Sequence, residues 1–253
     1  MIDCVNITWR NGFGNQLFQY ALGRLIAQEN NLQLTYSENL GRGCSLSLLD
    51  YKFIKEDIDI TKLKSDIHSI KHQINYDGDV IYDNLENPKT YENYIDEIKS
   101  WFEPIEKTNL NDLVIHIRRG DNGDNINTSV QWYTYVMDKI NYDNVYIVTD
   151  EPNHKDILFL IEKTNAKVFS EIDIIDRGED KNYVNEIIKD FNFIRSFDKI
   201  LFSNSTFGWW ASLLSDASEI YFNSDWQLRH KNGRVQLGKT NYKNWRGYSE
   251  TYN

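Results

Sequence analysis

Residues 113–121 read Leu-Val-Ile-His-Ile-Arg-Arg-Gly-Asp. A short apolar run rich in β-branched residues stops at two adjacent arginines, a glycine and an aspartate. Such a run, continuous rather than alternating, reads as a strand buried on both faces of a parallel sheet. The same pattern recurs downstream. "NVYIVTD" (144–150), "AKVFS" (166–170), "KILFSN" (199–204) and "EIYFN" (219–223) are further strand-like runs. Between them lie stretches with helical spacing: "SVQWYTYVMDKI", "EPNHKDILFLIEKT", "NYVNEIIKDFNFIRSF" and "TFGWWASLLSDA". In the third, Val184, Ile187, Ile188, Phe191 and Ile194 recur every three or four residues. Glu151 and Pro152 look like the start of the second. Strands alternating with helices predict an α/β fold with a covered parallel sheet.

The first half is less regular. "DCVNITW" (3–9) and "LQLTYS" (32–37) read as strands around a helix over 14–30. Residues 40–90 carry little periodicity, and "KTYENYIDEIKSWF" (89–102) reads as a helix ending before Pro104. The polar stretch "EPIEKTNLND" (103–112) is the candidate linker. Two α/β domains follow, 1–105 and 106–253, with a cleft expected between them.

Bulk composition narrows the function classes. The chain has 253 residues, 40 % hydrophobic and 26 % charged, with a formal net charge of -10. That charge argues against coating nucleic acid or an anionic membrane. Cys4 and Cys44 give neither a disulfide framework nor metal-ligand spacing, and a reducing, cytoplasmic setting is expected. The start "MIDCVNITWR" lacks the basic and apolar segments of a signal peptide. No apolar run of about 18 residues predicts an integral membrane segment; peripheral association with a membrane is left open. The aromatic content of 14 % suits a core as well as a sugar or base site.

Ligands of parallel sheets bind beyond the carboxyl ends of strands, and three candidate pieces fall there. In "HIRRGD", Arg118 and Arg119 point to opposite sides of the strand end, so they do different jobs. A guanidinium fork matches phosphate oxygens, Gly120 permits a tight turn, and Asp121 can lock one arginine. An internal Arg–Asp bridge is the competing reading. In "SNSTFGWW" (203–210), Ser205 or Thr206 can cap a helix whose free N–H groups attract anions; ordinary capping needs no ligand. Trp209 and Trp210 are expected in the core. In "VTDE" (148–151), Asp150 could accept bonds from a ribose or guanine, or cap the next helix.

A fourth piece, "NGFGNQLFQYA" (11–21), brackets Phe13 with Gly12 and Gly14 between strand and helix. Leu17 stands where a dinucleotide fingerprint has its third glycine. Asn15 and Gln16 bring amides to the helix start, where a substrate hydroxyl could be held. Two D-x-D triplets (57–59 and 77–79) follow no convincing strand, so no metal site is expected. His68, His72, His154 and His230 are read as surface residues. His116 lies inside a strand, where a bond to a neighbour is its ordinary role.

Taken together, "GFGNQLFQYA", "HIRRGD" and "SNSTFGWWASLL" occur in the order that resembles the α-1,2-fucosyltransferases of glycosyltransferase family eleven; "CSLSLLDYKF" (44–53) adds to the likeness. The resemblance implies a GT-B-like fold of two Rossmann-like domains, an acceptor-side domain first and a GDP-sugar domain second. It implies GDP-β-L-fucose as donor substrate, an oligosaccharide or glycolipid acceptor, and no cofactor or metal. By matching positions, Arg118 or Arg119 would hold the β-phosphate. Ser203, Asn204, Ser205, Thr206 and Phe207 would line the diphosphate, with Asp150 near the ribose or guanine. Gly14, Asn15 and Gln16 would face the sugar, with His116 in the substrate-facing set. Arg118, Arg119, Asp121 and Asn15 would carry the reaction. Asn122 departs from the aromatic residue usual after the arginine motif, and the 70–95 region departs from the family's aromatic-rich pattern.

Overall fold

The computed structural model describes residues 1–9, 11–37, 60–63, 68–75, 85–120, 128–170, 181–226, 228–230, 233–235 and 237–251. Asp121, Asn122, the 44–53 segment and both D-x-D triplets lie outside these residues. The chain divides into two compact units: Met1–Glu103 with Arg229–Val235, and Pro104–Leu228 with Gln236–Asn253.

The first unit is built on β1 (Ile2–Thr8), α1 (Phe13–Asn30), β2 (Gln33–Ser37), β3 (Ile60–Lys62) and β4 (His68–Asn75). Its strands lie in the order β3-β2-β1-β4, and β1 pairs with β2 and β4, and β2 with β3, all in parallel. Cys4, Val5, Asn6 and Ile7 of the central strand are all buried. Asn6 is tolerated there because its amide donates to Ser37 Oγ and Gln73 Oε1, at 2.9 and 3.1 Å. The turn into α1 passes through Asn11, whose φ of 63° lies in the left-handed region. That strain falls on the asparagine, not on Gly12 beside it. Two further asparagines, Asn31 and Asn165, close helices in the same conformation, a position usually taken by glycine. The helix expected over 89–102 is broken into α2 (Pro88–Tyr91), a 3-10 turn (Glu92–Tyr94) and α3 (Ile95–Ser100). Its aromatic end is still anchored: Trp101 is buried and lies 4.2 Å from the Arg24 guanidinium. The short strands β10 (Leu228–His230) and β11 (Gly233–Val235) pair with each other.

The second unit contains β5 (Asn109–Ile117), α4 (Val130–Met137), β6 (Val145–Thr149), α5 (Lys155–Thr164), β7 (Lys167–Val168), α6 (Lys181–Arg195), β8 (Phe197–Phe202), α7 (Thr206–Leu213), β9 (Glu219–Asn223) and β12 (Trp245–Tyr248). The strand order is β12-β9-β8-β5-β6-β7, all parallel. Numbered from β5, this is the order 3-2-1-4-5-6 of dinucleotide-binding sheets, whose direction of travel reverses between β5 and β8. The expected architecture of parallel-sheet α/β units is what each unit shows.

Two element boundaries differ from expectation. β5 starts at Asn109, inside the polar stretch read as linker. Thr108 and Asn109 N–H groups bond Ser196 O, and Leu113 N–H bonds Asn144 O. Polar residues serve here because Leu110 and Asn111 are exposed before the strand enters the core. α5 starts at Lys155, not at Glu151 or Pro152, because the His154 imidazole Nδ1 accepts the Asp156 N–H at 3.1 Å. His154, expected on the surface, is a half-buried helix cap.

The core of the second unit gathers Leu113, Ile115 and Ile117 from one face of β5 with Trp132, Tyr133, Ile147, Ile157 and Leu160. Trp209 and Trp210 are fully buried in α7, as expected.

Candidate active site

The switch point between β5 and β8 collects the second-unit pieces of the sequence. β5 delivers His116, Arg118, Arg119 and Gly120. β8 is followed by Ser203, Asn204 and Ser205, and then by α7. Ser205 is the N-cap: its Oγ accepts the Gly208 N–H at 3.3 Å. α7 packs close to the strand ends because Gly208 has no side chain. A Cβ there would lie 3.0 Å from both His116 Nδ1 and Phe202 Cβ. Thr206 and Phe207, in the first turn, stay half-buried, and the Phe207 ring lies 5.3 Å from the His116 ring.

The two arginines do separate jobs, as the strand period requires. Arg119 has a side chain only 1 % exposed. All three of its side-chain nitrogens are committed: Nε to Asp156 Oδ2 at 2.9 Å, Nη1 to Arg118 O at 3.0 Å and Nη2 to Thr128 O at 2.8 Å. The described lock on an arginine is therefore Asp156. Arg118 keeps 27 % of its side chain exposed, with Nε 3.9 Å from Asp150 Oδ2.

Asp150 supports the turn that carries them. Its two carboxylate oxygens accept the N–H groups of Arg119 and Gly120, at 2.7 and 3.1 Å. A Cβ on Gly120 would stand 2.7 Å from Asp150 Oδ2, so glycine is needed for this approach. Asp150 does not cap α5.

His116 is buried, yet its Nδ1 has no hydrogen-bond partner. The bond to a neighbour expected of a strand histidine is absent at that atom, because the ring faces the close-packed Gly208 and not a polar group. Burial drives its pKa from 6.5 down to about 4; the Asp150 carboxylate opposes the shift and the Arg118 cation adds to it. The unfolded chain takes up this proton near pH 6.5 and the folded chain only near pH 4. Between those values the unfolded state holds more protons, so stability falls as pH falls. This one site is expected to remove about 3 kcal/mol across that window. Thermal melts of the wild type and His116→Gln from pH 7 to 4 check it. The variant should lose less stability on acidification, and matching slopes would count against the burial argument.

In the first unit, Asn15 and Gln16 stand in the first turn of α1. Gln16 is fully buried and its Nε2 donates to Asn11 O at 3.1 Å. Asn15 Oδ1 and Gln16 Oε1 accept no hydrogen bond. Gly14 is buried in the same turn, and Gly12 precedes the helix with no side-chain cap. Among the described residues no group of three His, Cys, Asp or Glu side chains is arranged to hold a metal ion, and no helix is long and apolar enough to cross a membrane.

Sequence reasoning missed Asp156, Thr128 and Tyr133. The Arg119–Asp156 contact spans 37 residues, and no local spacing signals it. An acidic residue in the first turn of α5 was the single trace, and it reads equally well as helix-dipole compensation.

The family model for glycosyl transferase family 11 matches residues 50–248. The chain belongs to glycosyl transferase family 11. A search of curated proteins returns no match. The family is one of fucosyltransferases, so membership supports glycosyl transfer, with fucose as the sugar moved. The two parallel-strand sheets are consistent with the GT-B-like, Rossmann-type architecture of such enzymes, and neither closes into a barrel. The match includes the arginine turn and α7 but begins after α1, so the Asn15 and Gln16 turn stands outside it.

Proposed function

We propose that this family 11 member transfers L-fucose from GDP-β-L-fucose to a galactose-type hydroxyl of an oligosaccharide or glycolipid, forming an α-1,2 linkage with inversion and without a metal ion. The observation that carries the reading is the pairing of β5 with β8, which puts the turn of the half-buried Arg118 and the Ser205-capped start of α7 at neighbouring strand ends of the switch point. A guanidinium and the N-terminus of a helix are both suited to a diphosphate.

In the proposed reaction the acceptor oxygen attacks the anomeric carbon from the face opposite the diphosphate. The bond to the β-phosphate oxygen breaks, and both bonding electrons leave with GDP. Charge then grows on the phosphate, where Arg118 and the N–H groups of residues 205–207 stabilise it. Ser203, Asn204, Thr206 and Phe207 line this end. His116, uncharged at neutral pH, backs this end from within the sheet without adding charge. Asp121 is the candidate to receive the acceptor proton. Asp150 acts by holding the turn through its two backbone bonds and not by reading the base. Arg119 works in the same way. Asn15, half-buried in the first turn of α1, is assigned to the sugar hydroxyls, with the buried Gln16 holding that turn through its bond to Asn11 O. The first unit would take the acceptor and the second the GDP-sugar.

Thermal unfolding with GDP, UDP or NAD tests the donor class. GDP at about 100 times its dissociation constant should add about 2.7 kcal/mol, and EDTA should leave that gain unchanged. Stabilisation by NAD alone would sink the reading. Transfer of labelled fucose from GDP-fucose to galactose-terminated acceptors then separates an enzyme from a binding module.

A further inference from the structure

The turns after β5 and β8 must stay in register for both to reach one anion. Asp150 pins the β5 turn to the end of β6 through two backbone bonds, and the tie from that turn to the one after β8 has to come from elsewhere. The register comes from beneath. Arg119 lies under the β5 turn with its guanidinium 5.7 Å from the centre of the Tyr133 ring. The Tyr133 hydroxyl bonds Ser203 Oγ, at the foot of the β8 turn. On its other side Arg119 is held by Asp156, in the first turn of α5. Tyr133, Arg119 and Ser203 are all buried.

We infer that Asp156 and Tyr133 are positioning residues: with Arg119 they form a buried strut that fixes the turn after β5 against the turn after β8. The strut rests on reading these turns as the diphosphate site only for its functional consequence; its mechanical consequence stands without a ligand.

The physical case is one of commitment. A guanidinium that is 1 % exposed cannot meet a ligand without leaving its partners. Its Nη1 bond to Arg118 O instead fixes the main chain from which the Arg118 side chain springs. Its Nη2 bond ties the same point to Thr128 O, just ahead of α4. Thr128 is itself braced, because Asn223 Nδ2 donates to its Oγ1 at 3.0 Å and to Glu250 Oε1 at 2.9 Å. The Asp156 carboxylate supplies the charge that a buried arginine requires. Burial raises the Tyr133 hydroxyl to about 12, so it remains a neutral hydroxyl bonded to Ser203 over the whole working range.

Hydrogen exchange on the intact protein, read by mass spectrometry without ligand, tests the strut. Asp156→Asn keeps the shape and removes the charge. It should speed exchange at Arg118–Gly120 about ten- to a hundredfold. Tyr133→Phe keeps the ring under Arg119 and deletes the bond to Ser203. It should speed exchange at Ser203–Thr206 by about tenfold and leave Arg118–Gly120 close to wild type. Titration with GDP supplies the functional readout. Asp156→Asn should weaken GDP about tenfold, with KM for the acceptor unchanged. Wild-type exchange at Arg118–Gly120 in Asp156→Asn, or at Ser203–Thr206 in Tyr133→Phe, overturns the strut. Failure of the wild type to bind GDP overturns the donor reading instead, and the exchange rates still decide the strut.

Discussion

Arg118→Ala is expected to lower fucosyl transfer by about 100–1,000-fold, the usual cost of losing one preorganised donor to a developing anion. Arg118 is the arginine with exposed surface at the switch point, and it follows the strand that pairs with β8, the strand that leads into the helix start. Its removal leaves the buried contacts of Arg119 in place, so the folded state should be little changed. Arg118→Lys keeps a charge but not the two-pronged donor, and should recover only part of the rate. Arg119→Ala should also lose transfer, but together with stability, because it strips Asp156 of its partner and opens a hole above Tyr133. Turnover of labelled GDP-fucose, measured beside a thermal melt, separates the two outcomes. Wild-type turnover in Arg118→Ala would end the assignment of this turn to the diphosphate.

The largest stability effect is expected from Trp209→Ala, at about 3–5 kcal/mol. Trp209 is fully buried one turn into α7. Its ring lies 5.2 Å from Trp210, 5.9 Å from Trp245 and 6.3 Å from Tyr242, and its Nε1 donates to Thr240 Oγ1 at 3.0 Å. It therefore joins α7 to the chain that enters β12, the edge strand of the sheet. Truncation leaves a cavity among aromatic rings that cannot collapse and removes a buried hydrogen bond. Trp209→Phe should restore most of the packing but not that bond. Chemical denaturation read by circular dichroism checks both variants. A loss below about 1 kcal/mol for Trp209→Ala would mean that α7 is not held in this way.

The strands of the second unit were legible because their apolar runs are short, β-branched and bounded by turns. The Rossmann-like order was not, because strand order is set by crossovers, and a sequence records only succession. β8 lies beside β5 although 80 and more residues separate them in the chain, and that pairing puts the turns of Arg118 and Ser205 at neighbouring strand ends. The stretch 89–102 is not one helix, because its spacing of Tyr91, Ile98 and Trp101 suits a helix while its backbone breaks at Glu92–Tyr94. His154 went unrecognised as a cap because imidazole is an uncommon one and Pro152 looked like the helix start.

The arginine turn shows where local reading stops. Two adjacent arginines at a strand end must diverge, and that follows from the pleat alone. Which of them is buried depends on what packs above each face. Asp156, Thr128 and Tyr133 arrive from α5, the loop before α4 and α4 itself, and together they absorb Arg119. The sequence by itself determined the α/β class, the motifs that point to the family and the Ser205 cap of α7, because these depend on local period and residue chemistry. Only the tertiary structure decided that Arg119 is a strut and Arg118 the arginine turned outward, because a charge goes inward only where the fold supplies the oxygens to satisfy it.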